Sequence, residues 1–388
     1  MQKELYNRDV YLYTTRYRLL GGGPLAVTAA VIVDTIEELT PDWFTGTLRN
    51  GGTLSSDAAV TAVRSELIGT GQVGMVVRCE LDYDGDASEA PRSVVVKLPS
   101  AEPGNRQIGI AMGLYENEVR FYREIAPLAG ITVPRLHWGG VEPPTGRITL
   151  VIDDLTTSAE VGDMIARATP EQAELAFAEL VKLQAPLWNE PKLRSLPWLA
   201  DPSRAQMLFD SVAPSVEAFK GAYGHRLEPQ HLALVERLGP KASTWPARAL
   251  VDPLVVVHGD FRLDNMMFGT APGAAPISIL DWQACRLGPP LLDHSIFLGS
   301  CMSTEDRRAH ERDLLRGYHQ GLVDAGVRDF TFEDCLASYR ISSLYPFLLT
   351  VSMSMVLAHT DRDREMWTQL LRGSAELVHD LGAAEVLE

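Results

Sequence analysis

Alternating apolar and polar positions dominate the first part of the chain, and helical spacing dominates the rest. Short β-type runs lie at residues 63–68, 75–81, 93–98 and 147–152. From Thr169 onwards long amphipathic segments follow, interrupted by two β-type runs at residues 254–257 and 277–280. The pattern predicts an α+β protein with a small β-rich lobe, a connector near residues 153–158 and a larger helical lobe. A cleft between such lobes is a usual ligand site.

Proline marks the start of two predicted helices. Thr40-Pro41-Asp42 has the form of an N-cap, a first-turn proline and a first-turn acid, and predicts a short helix to about residue 49. Thr169-Pro170-Glu171-Gln172 is a capping box that opens a longer helix. Apolar spacing predicts another helix over residues 114–125, and the end of the chain, residues 334–387, is helical by period.

The composition is that of an ordinary globular protein of 388 residues. Lysine and arginine number 35 against 51 aspartates and glutamates, so the formal charge is −16 and there is no basic excess for binding nucleic acid. The four cysteines form no CxxC pair, which fits a reducing compartment. The apolar run at residues 24–33 is too short to span a bilayer and resembles no secretory signal. We therefore expect a cytoplasmic protein without a membrane partner.

A glycine-rich turn joins the first two predicted strands. Gly69, Gly71 and Gly74 match the spacing G-x-G-x-x-G-x-V over residues 69–76. Glycines in such a turn let the backbone approach a triphosphate and offer N–H groups to its oxygens. The dinucleotide-binding fingerprint has similar spacing but needs a helix directly after the turn, and here a strand follows.

A lysine ends the third predicted strand, Val94-Val95-Val96-Lys97. A buried ammonium needs a partner, and from this position its amine reaches the α and β phosphates of a nucleotide. Carboxylates for such a pair lie on the next predicted helix. Glu118 stands one turn before Tyr122, so we expect it to face inward and pair with Lys97, with Glu116 as the alternative.

The motif that carries most chemistry follows the β-type run at residues 254–257. That run leads into His258-Gly259-Asp260, and Asn265 comes five residues after Asp260. In phosphoryl transfer an aspartate orients and finally deprotonates the attacking hydroxyl, and an asparagine on the same loop ligates a metal. An ordinary aspartate, with a pKa of about 3.9, suffices because the proton leaves late. We interpret His258 as a hydrogen-bonding brace of the loop rather than a general base or a zinc ligand.

The β-type run at residues 277–280 leads into Asp281, which comes 21 residues after Asp260. A hairpin between the two strands would place both aspartates at one end of the cleft, where one carboxylate meets the nucleophile and the other meets Mg²⁺. Magnesium prefers hard oxygen ligands and keeps its waters, so Asp281, Asn265 and phosphate oxygens are adequate. Asp293 is a candidate buried acid that we expect to tie the catalytic loop by hydrogen bonds.

At residues 258–265 and 279–283 the sequence resembles the aminoglycoside phosphotransferase/choline kinase superfamily. Members are bilobal, protein-kinase-like enzymes that phosphorylate small molecules. The family's elements occur in the same order over residues 40–370, namely the glycine turn, Lys97, Glu118, Asp153-Asp154-Leu155, Asp260 and Asp281. The resemblance implies ATP with Mg²⁺, and adenine bonded by the backbone between Asp153 and Leu155.

Within that superfamily the sequence is most similar to the ecdysteroid-kinase-like branch, through Glu118-Val119-Arg120-Phe121-Tyr122 and Asp281-Trp282-Gln283. Residues 258–265 are also similar to bacterial phosphotransferases that accompany acyl-CoA dehydrogenases. The resemblance implies a substrate pocket built by helices of the large lobe. The predicted division of the chain is an N-terminal extension over 1–35, a nucleotide-binding N-lobe over 36–155 and a catalytic C-lobe over 156–388.

Two positions depart from the pattern of relatives. Gln184 stands where relatives often carry histidine, and we expect only a local change of packing there. Gln283 stands where protein kinases carry the glycine of their metal-binding tripeptide. No long activation segment follows, which argues against a protein substrate.

The leading hypothesis is an ATP-dependent kinase that phosphorylates a hydroxyl of a small metabolite or xenobiotic, with no obligate protein partner. One alternative is a nucleotide-binding module without activity. Another alternative is an antibiotic resistance kinase of the aminoglycoside or macrolide type, which would catalyse the same phosphoryl transfer from ATP. The charge of −16 would favour a polycationic aminoglycoside, whereas the ecdysteroid-kinase-like branch has more apolar substrates.

Overall fold

The computed structural model describes residues 31–69, 73–357 and 360–388. Gly71 of the predicted glycine turn lies outside these residues, as does most of the predicted extension. The described chain has the predicted α+β architecture. A sheet lobe, residues 31–153, contains an antiparallel sheet and a few helices, and a helical lobe, residues 159–388, contains mainly helices.

Five antiparallel strands form the sheet, in the spatial order β1-β2-β3-β5-β4. Their bounds are β1 (Ala59–Leu67), β2 (Gly74–Asp84), β3 (Ser93–Pro99), β4 (Leu136–Glu142) and β5 (Arg147–Asp153). Four of these strands were predicted, and β4 was not. The consecutive glycines Gly139 and Gly140 conceal it, because glycine weakens the strand pattern in a sequence. Lys97 lies on the central strand β3, opposite Val76 and Leu150.

Among the residues of the sheet lobe that the structure describes, three α-helices accompany the sheet, and two of them were predicted. They are α1 (Pro41–Asn50), α2 (Pro103–Ala111) and α3 (Leu114–Arg120). The Thr40 hydroxyl accepts the N–H of Trp43 at 3.2 Å, which confirms the predicted cap of α1. The helix predicted over residues 114–125 begins as α3 and continues as a π-helical turn over Phe121–Ile125.

In the described part of the helical lobe, eleven α-helices follow the connector. Their bounds are α4 (Pro170–Gln184), α5 (Pro197–Ala200), α6 (Pro202–Asp210), α7 (Val212–Tyr223), α8 (Pro229–Leu238), α9 (Trp245–Ala249), α10 (Leu292–Ser300), α11 (Thr304–Asp324), α12 (Phe332–Ser342), α13 (Leu344–Leu357) and α14 (Asp361–Asp380). The predicted capping box of α4 is present, since the hydroxyl of Thr169 accepts the N–H of Gln172 at 3.2 Å and the Gln172 side chain accepts the N–H of Thr169 at 3.0 Å. The helical segment Phe332–Leu357 is long and apolar enough to cross a membrane, but 67% of its most apolar window is buried, as in the core helix of a globular protein.

Five short strands lie in or next to the segment that carries Asp260 and Asp281, and their pairing differs from the prediction. Their bounds are β6 (Ala159–Val161), β7 (Val255–Val257), β8 (Met266–Gly269), β9 (Ile277–Ile279) and β10 (Arg286–Gly288). The predicted hairpin between the strands before Asp260 and Asp281 is wrong, because β7 pairs with β10 and β9 pairs with β8. The loop between β8 and β9 is much shorter than the segment between β7 and β9, so the local partner is the easier one to reach.

Apolar packing continues from one lobe into the other. The largest buried apolar cluster combines side chains of the sheet lobe, such as Val119 and Ile152, with side chains of the helical lobe, such as Phe261 and Phe297. The rings of Phe121 and Trp282 stack in parallel with centroids 3.6 Å apart. Helix α3 is therefore packed directly against the segment that follows Asp281.

Candidate active site

Lys97 lies at the centre of a cluster of three charged groups. Its Nζ is 2.5 Å from Oε1 of Glu118 and 2.9 Å from Oδ1 of Asp281. The Lys97 side chain is 17% exposed and that of Glu118 is 6% exposed. Glu116 instead pairs with Arg120 at 2.9 Å. The predicted Lys97–Glu118 ion pair is therefore present, and the alternative pair is not.

Burial and mutual attraction set the protonation of this cluster. Burial disfavours the ammonium of Lys97, but the carboxylates of Asp281 and Glu118 overcome this effect and raise its pKa. Burial raises the pKa of Glu118 against the opposing attraction of Lys97. Burial also opposes ionisation of Asp281, but the attraction of Lys97 prevails and lowers the pKa of that carboxyl. Lys97 and Asp281 are thus both charged at neutral pH.

Hydrogen bonds to buried groups brace the loop that carries Asp260. The carboxylate of Asp293 accepts the N–H of His258 at 2.7 Å and the N–H of Gly259 at 2.8 Å. Nε2 of His258 donates to the carbonyl of Leu280 at 2.7 Å, and the N–H of Asp260 donates to Nδ1 of the same ring at 3.2 Å. The predicted bracing by His258 and by Asp293 is confirmed.

The side chain of Asp260 is 32% exposed. Asn265 Nδ2 donates to Oδ2 of Asp260 at 3.0 Å and to its backbone carbonyl at 2.8 Å. Arg262 Nε lies 2.9 Å from the other carboxylate oxygen. Both oxygens therefore have a defined partner, which restricts the rotation of this side chain.

Asp260 and Asp281 converge although their strands do not pair. Leu280, the residue before Asp281, donates its N–H to the carbonyl of Asn265 at 2.8 Å and accepts from His258. The backbone N–H and the backbone carbonyl of Leu280 are thus both bonded to the loop of Asp260. Burial disfavours the charge of Arg262, but the negative charges around it, led by Asp260 and including Asp281, raise its pKa.

Gly69 and Gly74 lie on the two sides of the predicted phosphate loop. Gly69 has φ of 76°, in the left-handed region that favours glycine. A Cβ atom on Gly74 would lie 3.0 Å from the carbonyl of Leu98, which is a tight contact. The Tyr115 hydroxyl donates to the carbonyl of Val73 at 2.5 Å and so ties this end of the loop to α3.

The connector Asp153-Asp154-Leu155 begins at the last residue of β5 and leads to the helical lobe. The carboxylate of Asp154 is 0% exposed and accepts from Arg78 Nε at 2.7 Å and from the Ser93 hydroxyl at 2.6 Å. Burial alone would raise the pKa of Asp154, but hydrogen bonds from Ser93, Thr156 and Arg78 lower it to about 2. These contacts anchor the backbone at which the resemblance predicts adenine to bind.

Asn265 and Asp281 supply the hard oxygen atoms that Mg²⁺ prefers. Asn265 donates through Nδ2 to Asp260, which leaves its amide oxygen as an acceptor. Oδ1 of Asp281 accepts from Lys97 and Oδ2 accepts from Gln283 Nε2 at 3.2 Å, so each oxygen keeps a second lone pair. The donor set fits a magnesium ion that is also held by phosphate. Within the described ranges no group of three or more His, Cys, Asp or Glu side chains could hold a metal by itself.

Three polar residues of the site were not predicted. Arg262 contacts Asp260, Gln283 contacts Asp281, and Asn117 Nδ2 donates to the backbone carbonyl of Gln283 at 3.1 Å. The sequence held a signal for Arg262, because a cation two residues after a catalytic carboxylate is close enough to pair with it. It held none for Asn117, since that contact spans 166 residues.

Gln184, where we expect only a local change of packing, lies between helices of the helical lobe. Its side chain is buried, accepts a hydrogen bond from the Tyr318 hydroxyl and donates to the carbonyl of Pro290 at 3.3 Å. It ties α4 to α11 and to the segment before α10. Near it, a cavity of about 520 Å³ between α4 and α11 is lined by none of the predicted site residues.

Comparison with known proteins relates this site to a family. The family model described as the phosphotransferase enzyme family (APH) matches residues 88–330. This range includes Lys97, Glu118, Asp260 and Asp281 but not the glycine turn. A search of curated proteins finds no significant match.

Solved structures with a similar fold include kinases of small molecules. The GDP complex of wild-type aminoglycoside 2′-phosphotransferase IIIa has a TM-score of 0.48 and 13% identity, over 87% of this chain and 99% of that chain. ADP-bound aminoglycoside phosphotransferase APH(2″)-Ib has a TM-score of 0.46 and 16% identity, over 82% and 95% of the respective chains. A microcompartment-associated aminopropanol kinase has a TM-score of 0.42 and 15% identity, over 84% and 94%.

Proposed function

This chain belongs to the phosphotransferase enzyme family, and on that premise we propose that it transfers the γ-phosphate of ATP to a hydroxyl of a small molecule. The observation that carries the proposal is that the anchored ammonium of Lys97 and the carboxylates of Asp281 and Asp260 belong to segments that are bonded to one another. Lys97 contacts both Glu118 and Asp281, and Asp260 lies on a loop tied to the residue before Asp281. A nucleotide-binding module without activity would have no need of Asp260, the carboxylate that is assigned to the acceptor.

The nucleotide is held by residues of the sheet lobe. Lys97 turns its ammonium to the α and β phosphates, and Glu118 keeps it in place from behind. The backbone of the glycine turn, including Gly69 and Gly74, covers the triphosphate with N–H groups. The backbone between Asp153 and Leu155 binds the adenine edge, and the anchored carboxylate of Asp154 keeps this backbone in position.

Magnesium belongs with the nucleotide in this proposal. Asn265 and Asp281 hold it, and when bound it neutralises charge on the β and γ phosphates. Lys97 keeps the Asp281 carboxylate ionised before the nucleotide arrives. No protein cation other than Lys97 contacts this carboxylate among the described residues.

Asp260 orients the acceptor hydroxyl and takes its proton. The transition state is largely dissociative, so the proton leaves late and a strong base is not required. Asn265 and Arg262 restrict the rotation of the carboxylate, which keeps one oxygen directed at the acceptor. Arg262 also offsets the negative charge that the aspartates of the site concentrate in one place.

We propose a small and rather apolar alcohol as the acceptor. The support is the likeness of Glu118-Val119-Arg120-Phe121-Tyr122 and Asp281-Trp282-Gln283 to the ecdysteroid-kinase-like branch. Only residues 282–291 separate Asp281 from α10, which leaves no long segment to bind a protein substrate. The competing proposal is an aminoglycoside or macrolide acceptor, and the charge of −16 favours the aminoglycoside.

An acceptor panel with γ-labelled ATP tests these proposals together. Purified protein, ATP and Mg²⁺ are mixed with neutral alcohols of graded size, with aminoglycosides or with a metabolite extract, and labelled products are separated. We expect label in a neutral alcohol. Label in aminoglycosides, together with drug resistance in a sensitive host that expresses the protein, would support the antibiotic resistance kinase. Tight ATP binding with no labelled product from any arm would favour the inactive module.

A further inference from the structure

We propose that Gln283 and Asn117 are positioning residues that hold the Asp281 carboxylate and α3 in one rigid unit. This inference rests on the proposed function, because it concerns the carboxylate that would hold the metal–nucleotide complex. It adds two residues that the kinase motifs do not include. Gln283 stands where protein kinases carry glycine, and its side chain offers a contact that a glycine at this position could not make.

Gln283 restrains Asp281 from the side opposite Lys97. Nε2 of Gln283 donates to Oδ2 of Asp281 at 3.2 Å, and the ammonium of Lys97 donates to Oδ1 at 2.9 Å. Two donors from different elements therefore hold the two oxygens. Asp281 itself has φ of 61°, a left-handed conformation that L residues rarely adopt. Gln283 and Lys97 together restrict the rotation of the Asp281 carboxylate.

Asn117 connects this restraint to α3. Its Nδ2 donates to the backbone carbonyl of Gln283 at 3.1 Å, and its Oδ1 accepts from Arg204 on α6 at 3.1 Å. Asn117 is 5% exposed, so its amide depends on these two partners for its hydrogen bonds. One side chain thus links the segment after Asp281 to helices of both lobes.

Neighbouring residues of α3 bind the same short segment. Helix α3, which carries Glu118, packs against the turn Trp282–Ala284, and the ring of Phe121, in the π-helical turn that continues α3, stacks on the Trp282 ring. Residues of this continuous helical stretch therefore meet the segment directly after Asp281. The position of Glu118, which holds Lys97, and the position of Asp281 are set by one shared interface.

Metal binding measured apart from catalysis tests this proposal. Mn²⁺ replaces Mg²⁺, a non-hydrolysable ATP analogue occupies the cleft, and bound Mn²⁺ is quantified by electron paramagnetic resonance. Gln283→Leu keeps most of the side-chain volume but removes the donor. We expect Mn²⁺ to bind this variant about tenfold more weakly, the loss that follows from one hydrogen bond to a charged group.

A matched control separates this effect from a general loss of hydrogen bonds. Gln320 donates through Nε2 to Asp324 at 2.8 Å on the exposed face of α11, far along the chain from the site. Gln320→Leu removes a contact of the same chemical kind, and we expect unchanged Mn²⁺ affinity. Thermal unfolding of each variant reports whether it is folded at the temperature of the measurement.

Asn117→Ala provides a second and independent test, since it leaves the side chain of Gln283 intact. We expect weaker Mn²⁺ binding here too, and in the enzyme assay a lower kcat with a smaller change in the KM for ATP. Wild-type Mn²⁺ affinity in both folded variants would overturn this inference and leave the proposed function standing. Wild-type protein that binds no Mn²⁺–nucleotide complex would contradict the proposed function as well.

Discussion

At the scale of single residues, the ion pair of Lys97 could be predicted from the sequence, whereas other contacts of the site could not. A lysine at the end of an apolar strand, followed by an inward-facing glutamate, predicts an ion pair, and the pair is present. That argument needs only strand and helix periodicity. The contact of Arg262 with Asp260 is local, whereas the contacts of Asn117 depend on how distant segments fold together, and no local pattern encodes them.

Replacing Lys97 should destabilise the protein as well as weaken nucleotide binding. In Lys97→Met the carboxylates of Glu118 and Asp281 lose their shared cation while remaining largely buried. We expect the free energy of unfolding at neutral pH to fall by about 3 kcal/mol, measured by urea denaturation. Lys220→Met removes a surface cation paired with Glu217 and Glu236, and it should cost less than about 1 kcal/mol. Equal losses in the two variants would contradict the account.

The connector should impose a pH dependence through Asp154. The pKa of this carboxyl is about 2 in the folded protein, against about 3.9 in an unfolded chain. Because the folded value is depressed, the stabilisation is complete above the unfolded value and is lost as the pH falls toward the folded value.

Comparison with Asp154→Asn isolates this contribution. The difference in free energy of unfolding between the two proteins should shrink by about 2 kcal/mol between about pH 5 and about pH 2, in denaturant titrations at each pH. Asp82→Asn, at an exposed pair with Arg64, is the control and should show a smaller change. A difference that stays constant with pH would refute the assignment.

At the scale of elements, existence and type were largely predictable but pairing was not. The strands β1, β2, β3 and β5 and the caps of α1 and α4 follow from alternation and capping motifs. The predicted hairpin between the two catalytic strands is wrong, because each takes another partner. The two aspartates still converge, through backbone hydrogen bonds of Leu280 that no periodicity reveals.

The turn after β7 should tolerate no side chain at Gly259. This residue has φ of 82°, and a Cβ atom there would lie 2.6 Å from the carbonyl of Ala284. We expect Gly259→Ala to lower the free energy of unfolding by about 2 kcal/mol or more, since the left-handed backbone alone costs roughly 1–2 kcal/mol.

Gly221→Ala is the matched control for that experiment. Gly221 lies in α7, and a Cβ atom there would meet nothing within 4 Å. The Gly221→Ala substitution should leave the free energy of unfolding unchanged or raise it by about 0.5–1 kcal/mol, because alanine favours helices. Urea denaturation of both variants decides the matter, and a harmless Gly259→Ala would show that the turn is not constrained as described.

At the scale of the whole molecule, the interface of α3 with the segment after Asp281 leads us to expect an enzyme without an activation switch. Lys97 contacts both Glu118 and Asp281, which is the arrangement that the proposed function requires. We expect phosphatase treatment of the purified protein to leave its phosphotransferase rate unchanged. A loss of rate that returns on rephosphorylation would contradict this expectation.

Charge and composition say less about the acceptor than about the class of protein. The absence of a basic excess argues against nucleic acid, and the family assignment to phosphotransferases rests on residues 88–330. In the proposed function the acceptor pocket is built by helices of the large lobe, and helical periodicity in a sequence does not show which cavity the assembled helices form. The sequence therefore predicts the reaction better than it predicts the substrate.

The central claim is that Asp260 acts on the acceptor while Lys97 and Asp281 serve the nucleotide. Its most direct test measures label transfer from γ-labelled ATP and, on the same samples, affinity for an ATP analogue. For Asp260→Ala we predict transfer reduced at least about 100-fold with analogue affinity nearly intact. Asp210→Ala, at an exposed carboxylate of α6, is the control and should match the wild type. Full transfer by Asp260→Ala, or analogue binding lost together with transfer, would contradict the account.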